Sequence, residues 1–160
     1  MHKLLTKQPG LKMLLLGNEA IARGGLEAGV AVATTYPGTP SSEISLNFFQ
    51  MSQESELYFE YSTNEKVALE VAAAAANSGV RSMCVMKHVG MNVAADALLT
   101  LAYVGVKGGL VIVTADDPFM FSSQNEQDNR YLARFAKIPM LEPSDSREAH
   151  DFLKISIAIS

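Results

Sequence analysis

Short apolar runs at 12–16, 31–35, 57–61, 82–86 and 110–114 alternate with longer segments whose apolar residues recur at helical spacing. Runs this short and this apolar suit strands covered on both faces, and their alternation with helices is the pattern of repeated βαβ units. The fold class that follows is α/β, a mostly parallel central sheet with helices on both faces. A further short strand is expected near 139–141. Helices are expected at 18–28, 40–51, 64–77, 89–103 and 124–135, with a last one beginning near Asp145. Two starts carry capping chemistry. In Thr39-Pro40 the hydroxyl can cap while Pro takes the first helical position, and Asp145-x-x-Glu148 reads as a capping box.

With 160 residues, 48% of them hydrophobic, the chain has the size of one domain with a substantial core, spanning residues 1–160. Its 13 basic and 17 acidic residues, net charge -4, leave no cationic excess to neutralise phosphates, so nucleic acid is not an expected partner. The first eleven residues interleave Lys3, Lys7 and Pro9 with isolated leucines, so no signal or membrane segment is expected and the reading is cytoplasmic. Cys84 is the only cysteine. It cannot form an internal disulfide or supply the thiolates of an iron–sulfur cluster. His2, His88 and His150 are far apart in sequence, and no metal site is expected within this chain. The apolar stretch from Phe152 to Ser160 carries neither cap nor breaker, which is how a sequence reads when it stops inside a larger polypeptide.

In open α/β sheets ligands sit beyond the carboxyl ends of the strands. Those segments here read Thr35-Tyr-Pro-Gly-Thr-Pro-Ser-Ser-Glu43, Tyr61-Ser-Thr-Asn-Glu-Lys66, Met86-Lys-His-Val-Gly-Met-Asn92 and Ala115-Asp-Asp-Pro-Phe-Met-Phe-Ser-Ser-Gln124, four polar loops expected to share one rim. After Leu16 the chain lacks the second glycine of a dinucleotide turn, and no Gly-x-x-x-x-Gly-Lys occurs, so both common nucleotide motifs are missing. Glu65 follows a strand, opens a helix and shares a face with Leu69, Ala72, Ala73 and Ala76. It reads either as a buried acid or as the far end of a capping box from Ser62.

The turn Pro37-Gly38-Thr39 joins a close backbone approach to a helix start, and suits either a carboxylate or a purely structural corner. His88 stands on the rim as a substrate contact or as a hydrogen-bonded structural histidine. Asp116-Asp117-Pro118 presents carboxylates or starts a turn. The amide-rich stretch from Ser122 to Arg130 is a polar contact surface or a solvated cap region. The five alanines 72–76 require something packed close against them, either the sheet or a second subunit, and Lys66 with Glu70 reads as a solvated i,i+4 pair.

Taken together, Tyr36-Pro-Gly-Thr-Pro-Ser-Ser-Glu43 and Ser62-Thr-Asn-Glu65 resemble the 2-oxoacid:ferredoxin oxidoreductases. Met86-Lys-His-Val-Gly-Met-Asn-Val-Ala-Ala-Asp96, Gly105-Val-Lys-Gly-Gly-Leu110 and the 115–130 segment are similar to the branch of that family acting on indolepyruvate and other arylpyruvates. The resemblance implies the pyrimidine-binding domain of a thiamine diphosphate fold. It makes Glu65 the catalytic glutamate that hydrogen-bonds the pyrimidine ring and favours its imino tautomer, with Pro37 and Gly38 as cofactor contacts and Thr39 and His88 as substrate contacts. A carboxyl withdrawn from water can share a proton with a weakly basic ring nitrogen, which fits that role.

By the same resemblance the reaction is oxidative decarboxylation to an acyl-coenzyme A with ferredoxin as electron acceptor. Magnesium and 4Fe-4S clusters belong to regions absent from this chain, which alone is expected to be inactive. The implied partners are the remainder of the large subunit, a smaller beta subunit, ferredoxin, and a homodimeric contact between large subunits. Pyruvate-specific relatives place an arginine after the strand corresponding to 110–114. Asp116 and Asp117 stand there instead, which argues against pyruvate and leaves the arylpyruvate carboxylate without an obvious cationic partner. The competing reading is a non-catalytic α/β domain used for subunit assembly.

Overall fold

Four short strands pair edge to edge, and every pairing is parallel. They are β1 (Val32–Thr35), β2 (Tyr58–Tyr61), β3 (Ser82–Lys87) and β4 (Leu110–Ala115), in the order β2-β1-β3-β4. Val32 stands opposite both Tyr58 and Ser82, and Ser82 opposite Leu110. The computed structural model describes residues 2–160, and the expected α/β class is the one it shows.

Successive side chains of a strand point to opposite faces, and β3 shows what each face meets. Met83 and Val85 enter one core with Ala22 of α1 (Gly17–Glu27), Ile44, Phe48 and Met51 of α2 (Ser42–Ser52), and Leu153 and Ile157 of α6 (Ser146–Ile159). Cys84 and Met86 enter the other with Ala68, Leu69 and Ala72 of α3 (Glu65–Asn77), Met91, Ala94 and Leu98 of α4 (Gly90–Val104), and Ala136 of α5 (Arg130–Ala136). Helices therefore cover both faces. Burying a side chain such as Phe48 completely stabilises by about 1.5–3 kcal/mol, so each layer contributes several such increments.

The alanine run of α3 lies on the sheet. Ala68, Ala72, Ala73 and Ala76 are buried, and hydroxyls beneath them donate to the helix carbonyls: Thr34 Oγ1 to Ala68 O at 2.6 Å and Ser82 Oγ to Ala72 O at 2.7 Å. Small side chains are what allow strand and helix backbones to come within reach of one hydroxyl. Lys66 turns to Asp96 on α4, at 2.7 Å, in preference to Glu70 at 4.0 Å.

Several expected boundaries differ. Residues 12–16 form no strand, and Leu14 is 100% exposed. Residues 139–141 likewise make no ladder, although Met140 and Leu141 line the same cleft as Ile112 and Val113 of β4. α2 begins at Ser42, because a Gly38–Ser41 turn, closed by Ser41 N and Oγ donating to Gly38 O at 2.9 and 2.7 Å, precedes it. Thr39 is therefore not its cap, and the Thr39-Pro40 peptide is cis. The helix expected at 124–135 forms only as α5, because the amides before Arg130 are used in tertiary hydrogen bonds. The last helix keeps its N-cap: Asp145 accepts from Glu148 N at 2.8 Å, while the Glu148 carboxylate takes Ser144 N, one residue ahead of the expected box.

Candidate active site

All four strands run the same way, so their carboxyl ends lie along one edge and the four polar loops share it. The site is built around the end of β3. Asn64 caps α3, accepting from Val67 N at 2.9 Å, which makes Glu65 the first residue of the helix. The alternative of a capping box from Ser62 does not form, because Ser62 Oγ donates to Glu60 at 2.7 Å instead. Glu65 is only 6% exposed, and its carboxylate accepts no hydrogen bond among the described residues. It lies against the start of α4, where a Cβ on Gly90 would stand 2.7 Å from Glu65 Cγ and 2.9 Å from its Oε1. Glycine at residue 90 is what leaves room for the acid. Cys84, on the same face of β3, has its thiol pushed up to about 12 chiefly by burial, with the Glu65 charge adding to the effect.

His88 is fully buried. Its Nε2 lies 2.8 Å from the Asn125 carbonyl and 3.1 Å from Asn125 Oδ1, both acceptors, so the ring donates from Nε2. The other nitrogen, Nδ1, is buried with no partner among the described residues. An orphaned polar atom of this kind carries a desolvation cost that a ligand group can relieve. The amide-rich stretch is thus a contact surface and not a solvated cap. Gln127 donates to His88 O at 3.1 Å, and Asn129, itself buried, donates to His88 O at 3.1 Å and to Thr114 Oγ1 at 2.7 Å.

Of the expected carboxylates after β4, Asp117 is spent inside its own loop. It accepts from Ser122 N at 2.8 Å and Ser123 Oγ at 2.7 Å, and these bonds hold it below the ordinary carboxylate range. Asp116 is pushed the other way by desolvation. Between them and the amides the chain turns through Phe119 and Met120 at φ 66° and 56°, which leaves Phe119 79% exposed.

A family profile described as pyruvate flavodoxin/ferredoxin oxidoreductase, thiamine diphosphate-binding, matches residues 23–160. The chain belongs to this family. Members of known name agree: indolepyruvate oxidoreductase subunit IorA of Methanothermobacter thermautotrophicus is 56% identical over 160 residues, which is 100% of this chain and 26% of that protein. The same subunit of Pyrococcus horikoshii is 54% identical over 157 residues, 98% of this chain and 24% of that one. The chain thus spans about a quarter of the length of these relatives. A 2-oxoglutarate:ferredoxin oxidoreductase from Magnetococcus marinus superposes with a TM-score of 0.76 at 18% identity, over 97% of this chain and 30% of that one, which supports the shared fold.

In this thiamine diphosphate-binding domain the sequence-derived residues fall into two groups. Glu65 and His88 are buried beside the end of β3, whereas Pro37 and Thr39 are exposed on the turn after β1, with Gly38 half-buried between them. Asn125 and Asn129 were flagged from sequence only as part of the amide-rich stretch, and Gly90 not at all; for Gly90 the available signal was a glycine at a helix start facing a rim acid. The residues of this domain fit a pyrimidine ring in one respect, a carboxyl with no protein hydrogen bond on a residue only 6% exposed, and the unpartnered Nδ1 of His88 is a second polar atom open to a ligand. No helix among the described residues is long and apolar enough to cross a membrane.

Proposed function

We propose that this chain is the pyrimidine-binding domain of the large subunit of an indolepyruvate:ferredoxin oxidoreductase. The observation that carries the reading is Glu65, a residue only 6% exposed whose carboxylate accepts no hydrogen bond among the described residues. A carboxyl so placed has its acceptor oxygens free for a ligand, and a nitrogen of the aminopyrimidine ring of thiamine diphosphate is the partner it suits. The identities of 54 to 56% with indolepyruvate oxidoreductase subunits support indolepyruvate and related arylpyruvates as substrates.

When bound, thiamine diphosphate supplies a carbon nucleophile for the keto group and a sink for the electrons released on decarboxylation. Glu65 holds and shares a proton at the pyrimidine nitrogen, and Gly90 keeps its carboxyl in place. His88, anchored through Nε2 by Asn125, presents Nδ1 as an acceptor toward substrate. Pro37 and Gly38 form the wall beside the cofactor, and Thr39 offers a hydroxyl to the substrate.

Magnesium and 4Fe-4S clusters would be held by regions outside this chain, whose one cysteine, Cys84, cannot supply the thiolates of a cluster. The working enzyme in this reading adds a smaller beta subunit, a second large subunit and ferredoxin, and acts in the cytoplasm.

The test is anaerobic indolepyruvate- and coenzyme A-dependent reduction of a viologen dye by the full-length two-subunit enzyme, wild type against Glu65→Gln. Loss of turnover in an assembled variant is the expected result. Equal rates would remove the role of Glu65, and no wild-type activity would return the domain to a purely assembling one.

A further inference from the structure

The strand that ends at the site also delivers a cation to it. Lys87 is the last residue of β3, and its stem lies directly over Gly38: a Cβ there would stand 2.8 Å from Lys87 Cδ and 2.9 Å from its Cγ. The lysine thus runs along the Pro37-Gly38-Thr39 turn, whose glycine is needed to let it pass. Its ammonium donates to Gln124 Oε1 at 2.8 Å, a neutral partner that orients the charge without cancelling it. Lys3, Lys66 and Lys154 pair with carboxylates, whereas Lys87 has none within ion-pair distance among the described residues. The nearby acids are engaged elsewhere, Asp117 with Ser122 and Ser123, Asp116 with Asn129. An ammonium with three donors and one of them used keeps two for an anion.

We propose that Lys87 is the cation that receives the carboxylate of the 2-oxoacid, held ready by Gln124 and seated by Gly38. The proposal rests on reading the chain as part of a 2-oxoacid oxidoreductase. It gives the arylpyruvate carboxylate the counter-charge that the loop after β4 does not provide. A charge-assisted hydrogen bond of this kind distinguishes an anionic substrate from a neutral one of the same shape.

The experiment uses the full-length two-subunit enzyme with Lys87→Met, Lys87→Arg and Gly38→Ala, each checked for assembly. Lys87→Met is expected to raise the indolepyruvate KM by about 10- to 100-fold and to leave the thiamine diphosphate requirement unchanged. Lys87→Arg should restore most of the affinity, and Gly38→Ala should raise KM by displacing the lysine stem. Calorimetric titration with indole-3-propionate and its neutral amide gives a readout independent of turnover: the acid should lose affinity in Lys87→Met and the amide should not.

Equal binding of the acid by wild type and Lys87→Met would overturn the proposal. So would a raised thiamine diphosphate requirement with unchanged indolepyruvate KM, which would assign the cation to the diphosphate. If the wild type turns over no 2-oxoacid, the functional reading fails, and the titration still decides whether Lys87 binds a carboxylate.

Discussion

Gly90 packs directly against Glu65: a Cβ at residue 90 would stand 2.7 Å from the Cγ of Glu65. Alanine is otherwise the better helix residue, so the sign of a Gly90→Ala change reports the contact. We expect Gly90→Ala to destabilise by about 1–3 kcal/mol through overpacking and to raise the thiamine diphosphate concentration needed for half-maximal activity. Urea denaturation and cofactor titration check both; a stabilised variant with normal cofactor affinity would show that Glu65 does not depend on this gap.

The start of α3 places Glu65, and Asn64 fixes that start through its bond to Val67 N at 2.9 Å. Asn64→Ala should cost about 0.5–2 kcal/mol, and Asn64→Asp, an equally good cap, should recover nearly all of it. The comparison is made from the midpoints of urea transitions with equal slopes. Equal midpoints for Ala and Asn would mean the cap contributes nothing.

Cys84 should be inert in the folded chain. Its thiol is pushed up to about 12 by burial, which leaves about one thiolate in 10,000 at pH 8. Iodoacetamide at that pH is expected to leave it unmodified over hours and to label it fully in denaturant, read by mass spectrometry. Rapid native labelling would place the thiol at the surface.

The two acids after β4 should respond to pH with opposite signs. Asp117 is lowered, chiefly by Ser123, so its contribution is present above the unfolded value of about 3.9 and is lost as pH falls through its folded value. Asp116 is raised by desolvation, so its ionised form opposes folding, and that opposition is relieved as pH falls through its raised value. In melts from pH 7 to pH 3, Asp117→Asn should lower Tm at pH 7 by an amount that shrinks on acidification. Asp116→Asn should raise Tm at pH 7, with the gain vanishing at low pH. Parallel behaviour of the two variants would contradict these environments.

The central strands were legible in the sequence because burial on both faces leaves an apolar run that needs no other signal, as at Met83–Met86. Residues 12–16 carry the same kind of run without forming a strand, since pairing depends on a neighbouring edge that composition does not specify. Residues 124–129 look like a helix start because Gln, Asn, Glu and Asp suit one. The decisive fact, that Asn125 and Asn129 are bonded to His88, is a contact some 40 positions away in sequence. Glu65 was visible as a rim acid on an apolar face; the residue pattern alone left the capping alternative open, the family resemblance set it aside, and the structure agrees, with Asn64 as the cap and Ser62 bonded to Glu60. Lys87 went unnoticed because nothing local marks a lysine whose stem crosses a distant glycine.

The most direct test of the central claim is the near-ultraviolet circular dichroism of the full-length enzyme loaded with thiamine diphosphate, where the imino tautomer of the bound pyrimidine gives its own band. With Glu65 sharing a proton with the ring, wild type is expected to show the band and Glu65→Gln to bind the cofactor without it. A band of equal strength in Glu65→Gln would contradict the role assigned to this carboxyl.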